Sequence, residues 1–213
     1  NSKESTRDLA KFIKRKVYTL PNPCFKKITN IKRTLKPHKK INILNISRFE
    51  NQKDHLTLLK AVNSSGIKDK INLILVGYGR NYHNIKRFIK ENKINAKIFL
   101  KKKNLKKFYI NSDLYICSSL YEGLPTTVVE AASYCLPIIS SDFKSGIKEI
   151  LKNGKTGTFF KKRDHKKLSK LILSYYLNPK PFLQKEYLCR KYLHKFSINE
   201  STSVLNKFLN KIS

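Results

Sequence analysis

Short apolar runs recur along this chain with helical patterns between them, and that alternation limits the folds open to it. Ile41-Asn42-Ile43-Leu44-Asn45-Ile46 reads as a strand, followed by a helical stretch from Asp54 to Val62. Ile71 to Val76 follows, then Tyr82 to Glu91, where Ile85, Phe88 and Ile89 share one face. Lys97 to Leu100 and Leu114 to Cys117 are further strands, separated by a short helix around Leu105 to Tyr109. A helix over Thr127 to Tyr134 and the strands Pro137 to Ser140 and Gly157 to Phe160 complete the series. Strands buried on both faces read as continuous apolar runs, and intervening helices imply right-handed crossovers. The expected fold is α/β, a doubly wound parallel (Rossmann-like) sheet with its ligand at the carboxyl ends of the strands.

The two ends do not fit that unit. Residues 1 to 16 suggest a basic helix with Leu9, Phe12 and Ile13 on one side. Val17 to Leu20 then reads as a strand running into Pro21-Asn22-Pro23 and a lysine-rich connector to about Lys40. A helix and strand ahead of a connector look like the tail of another domain. Beyond Pro179 and Pro181 the chain is helical again, breaking near Phe196-Ser197 before a last helix from about Asn199. The chain has 213 residues and no methionine, even at position 1, which suggests a fragment or trimmed product of one domain's size.

No apolar run approaches the roughly 18 to 20 residues of a membrane span, and Asn1-Ser2-Lys3-Glu4 begins no signal peptide. Cys24, Cys117, Cys135 and Cys189 are widely separated and lack metal-ligand spacing, so a reducing, cytoplasmic compartment is expected. The net charge of +32 has two readings. One is attraction to polyanions, whether nucleic acid or an anionic membrane. The other, which we favour, is compositional bias giving a solvated basic surface, since the lysines come as scattered doublets such as Lys26-Lys27 and Lys106-Lys107.

Four segments carry candidate chemistry. Ser47-Arg48-Phe49-Glu50-Asn51-Gln52-Lys53 places two cations at a strand's carboxyl end, suited to a diphosphate leaving group or simply solvated. Gly77-Tyr78-Gly79-Arg80 permits a tight turn, but the third glycine of a dinucleotide fingerprint is missing. Ser118 to Ala131 runs from a strand through a Gly/Pro loop into a helix, offering backbone N–H groups to a phosphate or sugar oxygen. Glu122 and Glu130 there could face one cleft and accept paired hydrogen bonds from vicinal hydroxyls. Thr127-x-x-Glu130 equally reads as a capping box, and Glu122 as an ordinary loop acid. The fourth segment, Gly146 to Ile150 with Asn153 to Gly157, is by itself a helix and a turn.

Taken in order, these segments resemble the donor-binding domain of the GT-B, retaining glycosyltransferases of family 4. Glu122-Gly123-Leu124-Pro125 with Glu130 is similar to that family's E-x7-E motif, and Arg48 with Lys53 to its donor-diphosphate pair. Gly77-Tyr78-Gly79, Ser112-Asp113-Leu114, Gly154 to Gly157 and Phe196-Ser197 fall in the family's order, so the match covers about residues 20 to 210. The resemblance implies that Glu122, Arg48 and Lys53 serve catalysis. It also implies that Arg48, Lys53, Gly77, Glu122, Gly123, Leu124, Pro125, Thr126 and Glu130 line the donor site. Glu130 would bind the ribose hydroxyls and Glu122 the transferred sugar, with no metal or other cofactor required. Residues 1–20 would be the remnant of a missing acceptor domain, 21–40 a linker, 41–195 the nucleotide-sugar domain and 196–213 a closing helix. Expected partners are a nucleotide-sugar donor and, through the missing domain, a glycan or lipid-linked acceptor. Contact with the inner face of the cell membrane is a secondary expectation, and nucleic acid is not expected. Two positions depart from the family: Cys135 and Lys101 stand where it commonly has glycine. The rival readings are a basic nucleic-acid-binding module and a non-catalytic donor-domain relic or subunit.

Overall fold

In the computed structural model, which describes residues 2–13, 17–33, 40–144 and 146–210, the run Ile41–Ile46 becomes strand β1 at the middle of a six-stranded sheet. The others are β2 (Ile71–Gly77), β3 (Ala96–Leu100), β4 (Leu114–Cys117), β5 (Ile138–Ser141) and β6 (Thr158–Phe160). Every ladder is parallel and the order is β3-β2-β1-β4-β5-β6, so the winding reverses between β1 and β4. Ile43 is opposite Leu73 on one side and Leu114 on the other, which fixes the central register.

The strand period of two divides the core into two layers. Ile41, Ile43, Leu73, Leu75, Leu114 and Ile116 face one layer with helices α2 (His55–Asn63) and α7 (His165–Leu177). Leu44, Ile46, Val76, Tyr115 and Cys117 face the other, with α5 (Thr126–Ser133) and the residues Leu193 and Phe196. The remaining helices that follow β1 up to residue 190 are α3 (Tyr82–Glu91), α4 (Lys106–Ile110), α6 (Gly146–Ile150) and α8 (Lys180–Arg190). The doubly wound parallel sheet is therefore present as expected.

Helix α7 is the element absent from the sequence reading. Asp164 caps it by accepting from the Lys167 N–H at 2.8 Å, and Leu168, Ile172 and Tyr175 bury one face. The amino-terminal stretch also differs from expectation. Helix α1 spans Lys3–Phe12, with Ser2 as its cap, and leaves Phe12 85% exposed. The rest of the expected helix, residues 14–16, lies outside the described residues. Val17 to Leu20 form no strand, because β-branched propensity without a neighbouring edge makes no ladder.

Residues 21–33 lie along the body of the molecule, while 34–39 of the expected linker fall outside the described residues. Cys24 N–H donates to the Phe196 carbonyl, Ile198 N–H to the Phe25 carbonyl, and Thr29 N–H to the Ser133 carbonyl, all at 2.8–2.9 Å. The last helix, α9, spans Ile198–Leu209 with Ser197 capping it through Glu200 N–H. Residues 211–213 of the expected closing helix lie outside the described residues.

Candidate functional site

A parallel sheet leaves a crevice where its winding reverses, at the carboxyl ends of the strands either side. Here those strands are β1 and β4, and the segments that follow them are Ser47 to Asp54 and Ser118 to Pro125. The topology thus brings together two segments separated by about seventy residues of sequence.

Phe49 anchors the first segment: it is fully buried, and its N–H donates to the Tyr78 carbonyl at 2.7 Å. Gly77 and Gly79 make this approach feasible. A Cβ on Gly77 would sit 1.9 Å from the Ser47 carbonyl oxygen, and one on Gly79 2.6 Å from that of Phe49. Gly77 therefore has a packing reason to be glycine, independent of any ligand. With Phe49 inward, Arg48 is exposed, and among the described residues it enters no ion pair. A short 3-10 turn over Asn51–Lys53 leads to Asp54, whose left-handed backbone (φ 45°) starts α2. Its carboxylate accepts from Thr57 N–H at 3.3 Å and from the Thr57 hydroxyl at 2.6 Å.

The second segment is sewn to the first. Leu120 N–H donates to the Gln52 carbonyl at 2.7 Å, the Gln52 amide to the Tyr121 carbonyl at 2.6 Å, and the Ser118 hydroxyl to the Lys53 carbonyl at 2.9 Å. Lys53 and Glu122 form an ion pair whose side chains are only 13% and 14% exposed. The Ser119 hydroxyl donates to the same Glu122 oxygen at 2.8 Å. No side chain caps the start of α5, so the Leu124-Pro125-Thr126 turn presents an uncapped helix end. Gly146 seats this turn, its N–H donating to the Gly123 carbonyl at 2.9 Å where a Cβ would collide with Leu124.

Glu130 belongs to a different wall. It is half-buried on α5, and the Tyr109 hydroxyl donates to its Oε2 at 2.8 Å. Tyr109 in turn stacks on Tyr134, centroids 5.2 Å apart. Burial holds the Glu130 carboxyl above its ordinary value, partly offset by the Tyr109 hydrogen bond. The capping-box alternative is not realised, since Thr127 Oγ1 meets the buried Tyr115 hydroxyl instead. Glu130, Tyr109 and Tyr134 line a concavity of about 810 Å³ together with Lys26, Lys103 and Lys106. Glu122 and Glu130 thus sit on separate supports, and of the two only Glu130 lines this concavity. A further concavity of about 570 Å³ between α2 and α3 is lined by Asn51 and Leu120 of the two segments, but by none of the residues expected to bind the donor.

Three positions escaped the sequence reading. His55 is 3% exposed, and its Nε2 lies 3.0 Å from the Ser47 hydroxyl. That hydroxyl donates its only proton to Asn45 Oδ1 at 2.8 Å, while the Asn45 amide donates to the Ile116 carbonyl. Ser47 can then only accept, so His55 carries its proton on Nε2. Burial and the nearby Lys53 charge depress the His55 pKa to about 4. Arg33 is the second: its guanidinium donates at 2.8 Å to the carbonyls of Tyr109, Ile110 and Tyr134, and also to that of Ser112. One cation thereby closes the carboxyl ends of both α4 and α5, where helix dipoles favour it. Tyr109 is the third.

The two departures at Cys135 and Lys101 have a backbone explanation. Both residues are left-handed, with φ of 59° and 47°, so the chain still makes the turns at which glycine is least strained. Cys135 is fully buried, and its thiol donates to the Thr29 carbonyl at 3.1 Å. Among the described residues no group of three or more His, Cys, Asp or Glu is placed to hold a metal, and no helix is long and apolar enough to cross a membrane.

A parallel sheet of this order, reversing between β1 and β4 with Arg48, Lys53 and Glu122 on the segments that follow those strands, defines a Rossmann-like α/β protein. The family model for glycosyl transferases group 1 matches residues 26–192, and the chain belongs to that family. It is 36% identical over 111 residues to an uncharacterized glycosyltransferase of Methanocaldococcus jannaschii, covering 51% of this chain and 27% of that protein. It is 33% identical over 120 residues to the amylovoran biosynthesis glycosyltransferase of Erwinia amylovora, covering 54% of this chain and 33% of the relative. Among solved structures it resembles an S. aureus TarM mutant in complex with fondaparinux, alpha-GlcNAc-glycerol and UDP. The TM-score is 0.82 at 20% identity, over 98% of this chain and 42% of that one. The matches to these curated relatives span about a third of their length or less.

Proposed function

We propose that residues 41–195 bind the nucleoside-diphosphate sugar for a retaining, family 4 glycosyltransferase, and that the acceptor, a glycan or lipid-linked sugar, is held by a further domain. The observation that carries this reading is the Lys53–Glu122–Ser119 cluster beside exposed Arg48 at the β1/β4 switch point. In the transfer, the bond between the anomeric carbon and the diphosphate oxygen breaks. The acceptor hydroxyl oxygen bonds to that carbon, and its proton leaves with the departing nucleotide. Negative charge grows on the diphosphate as this happens. Arg48, Lys53 and the uncapped start of α5 are the groups we assign to stabilising it, and on that reading the reaction needs no metal. Glu122 contacts the transferred sugar, the backbone of Gly77 and Gly123 to Thr126 lines the pocket, and Glu130 takes the ribose hydroxyls. We propose that this work takes place in the cytoplasm, with contact at the inner face of the cell membrane as a secondary feature.

UDP is the first donor product to test, since the TarM structure was solved with it. Calorimetry with UDP, GDP and ADP should show saturable binding, weakened by about 1 to 3 kcal/mol in Glu130→Ala and at least as much in Arg48→Ala. Binding of duplex RNA without any nucleotide binding would make the basic surface, and not the crevice, the functional feature. The 213-residue chain by itself should transfer little or no sugar. Turnover by that chain would show that no further domain is needed.

A further inference from the structure

Helix α8 carries apolar side chains on two sides. Phe182 and Cys189 enter the core, and Glu186 is buried with them, its carboxylate closed by Arg190 at 2.5 and 2.6 Å. Leu183, Tyr187 and Leu188 recur at helical spacing on another face, where with Pro179 they line an open concavity of about 770 Å³. Tyr187 is 58% exposed and Leu188 42%, and Leu177, at the end of α7, is 71% exposed. A helix with one side in the core ordinarily turns a polar side to water, so this second apolar face calls for an occupant.

Charge narrows what that occupant is. From His165 to Lys191 the only acid in the sequence is Glu186, which Arg190 already neutralises. Lys180 lines the concavity, the Lys191 ammonium lies 5.3 Å from the Tyr187 ring centroid, and that of Lys152 lies 4.4 Å from the ring of Tyr192. Among the described residues none of these three lysines enters an ion pair. A second copy of the chain would bring like charge to like, each carrying +32. A polynucleotide would satisfy the lysines and leave the leucines in water. An anionic bilayer meets both needs: leucines reach the acyl boundary, tyrosine rings sit at headgroup level with their hydroxyls wet, and ammonium groups face lipid phosphates. We propose that the outer face of α8, with Leu177 beside it in sequence, is the surface on which the chain rests against an anionic lipid membrane. The inference rests on the membrane contact proposed above and supplies its surface; it is independent of the donor crevice.

The chain has no tryptophan, so Tyr187→Trp places a single reporter on this face. On vesicles of mixed phosphatidylcholine and phosphatidylglycerol its emission should shift to the blue and be quenched by acyl-brominated lipid. Pure phosphatidylcholine vesicles should bind the chain at least about tenfold more weakly. In sedimentation with the mixed vesicles, replacing both Tyr187 and Leu188 by Ser should weaken binding at least about tenfold. Both positions are exposed, so urea unfolding midpoints should stay near wild type. Phe12→Ser, on the exposed side of α1, should leave vesicle binding unchanged. Vesicle binding with unshifted emission, or binding lost in Phe12→Ser and kept in the double Ser variant, overturns the assignment to α8 while membrane contact itself stands. A dimer in lipid-free solution that the double Ser variant dissociates overturns it too, by giving the face to a second copy. Absence of binding to any vesicle removes both the surface and the membrane contact. Nucleotide titrations should be the same in all these variants, so the donor-site reading stands or fails separately.

Discussion

On the wall built from the ends of β1 and β4, polar side chains are joined mainly to one another. On the wall built from α4 and α5, they are joined to helix-end carbonyls and to aromatic hydroxyls. Lys53, Glu122 and Ser119 form a closed cluster in the first, with Asn45, Ser47 and His55 as a second cluster behind it. In the second, Arg33 reaches across from the amino-terminal stretch and ties Tyr109 and Tyr134 from the rear, while Tyr109 holds Glu130 in front. The first wall is thus held by local polar contacts between two loops, the second by one cation far away in sequence. Substitutions should separate the two.

The largest effect is expected at Arg33. Replacing it by Ala leaves four carbonyls at two helix ends without their donor, and should cost about 3–5 kcal/mol in urea-induced unfolding. Arg33→Lys should recover little, because a single ammonium cannot fork across two helix termini. Unfolding midpoints equal to wild type would mean that solvent replaces the guanidinium and that the second wall stands without it.

His55 tests the first wall through pH. Its folded pKa, about 4, lies below the ordinary value of 6.5, so the native state holds the neutral ring while the unfolded chain takes up a proton. Stability from this group is full above pH 6.5 and is lost as pH falls toward 4, by about 3 kcal/mol over the window. Denaturation curves at several pH values should show that slope in the wild type and a flatter one in His55→Gln. Equal slopes would place the acid sensitivity in other groups.

The third effect is a coupling. A double-mutant cycle of Lys53→Met and Glu122→Gln should give an interaction of about 2 kcal/mol in stability, because the pair is mostly shielded from water. The same cycle across the walls, Lys53→Met with Tyr109→Phe, should be additive. Coupling there of similar size would join the two walls into one unit.

These differences track what the sequence could disclose. The strands were legible because each is built on a short apolar run, and in the central ones alternate residues enter opposite layers, as in Ile43 and Leu44. Helix α7 was hidden by its lysines: Lys166, Lys167 and Lys170 mask the spacing of Leu168, Ile172 and Tyr175, a signal that was present. Val17 to Leu20 had strand propensity but no partner edge, which no local pattern reports. The first wall's ionic residues follow directly on strand ends, so Arg48, Lys53 and Glu122 could be picked out in order. Arg33 could not, because its worth lies in carbonyls 76 to 101 residues away. The same holds for Tyr109, whose partner Glu130 is 21 residues on and on another helix.

The smallest effect sharpens the comparison most. Tyr109→Phe removes one hydroxyl and keeps the buried ring, so the stacking on Tyr134 survives and stability should change by about 1 kcal/mol. Its consequence for binding has a definite sign. Burial already raises the Glu130 pKa, and the Tyr109 hydrogen bond is what pulls it back down. Without that bond the carboxylate protonates at higher pH, and a protonated carboxyl is a poorer acceptor for a pair of ribose hydroxyls. UDP affinity should therefore fall off at higher pH on the acid side in Tyr109→Phe than in the wild type. In Lys53→Met the affinity should drop at every pH without moving that fall-off. A profile that shifts in Lys53→Met and not in Tyr109→Phe would put the ribose on the first wall.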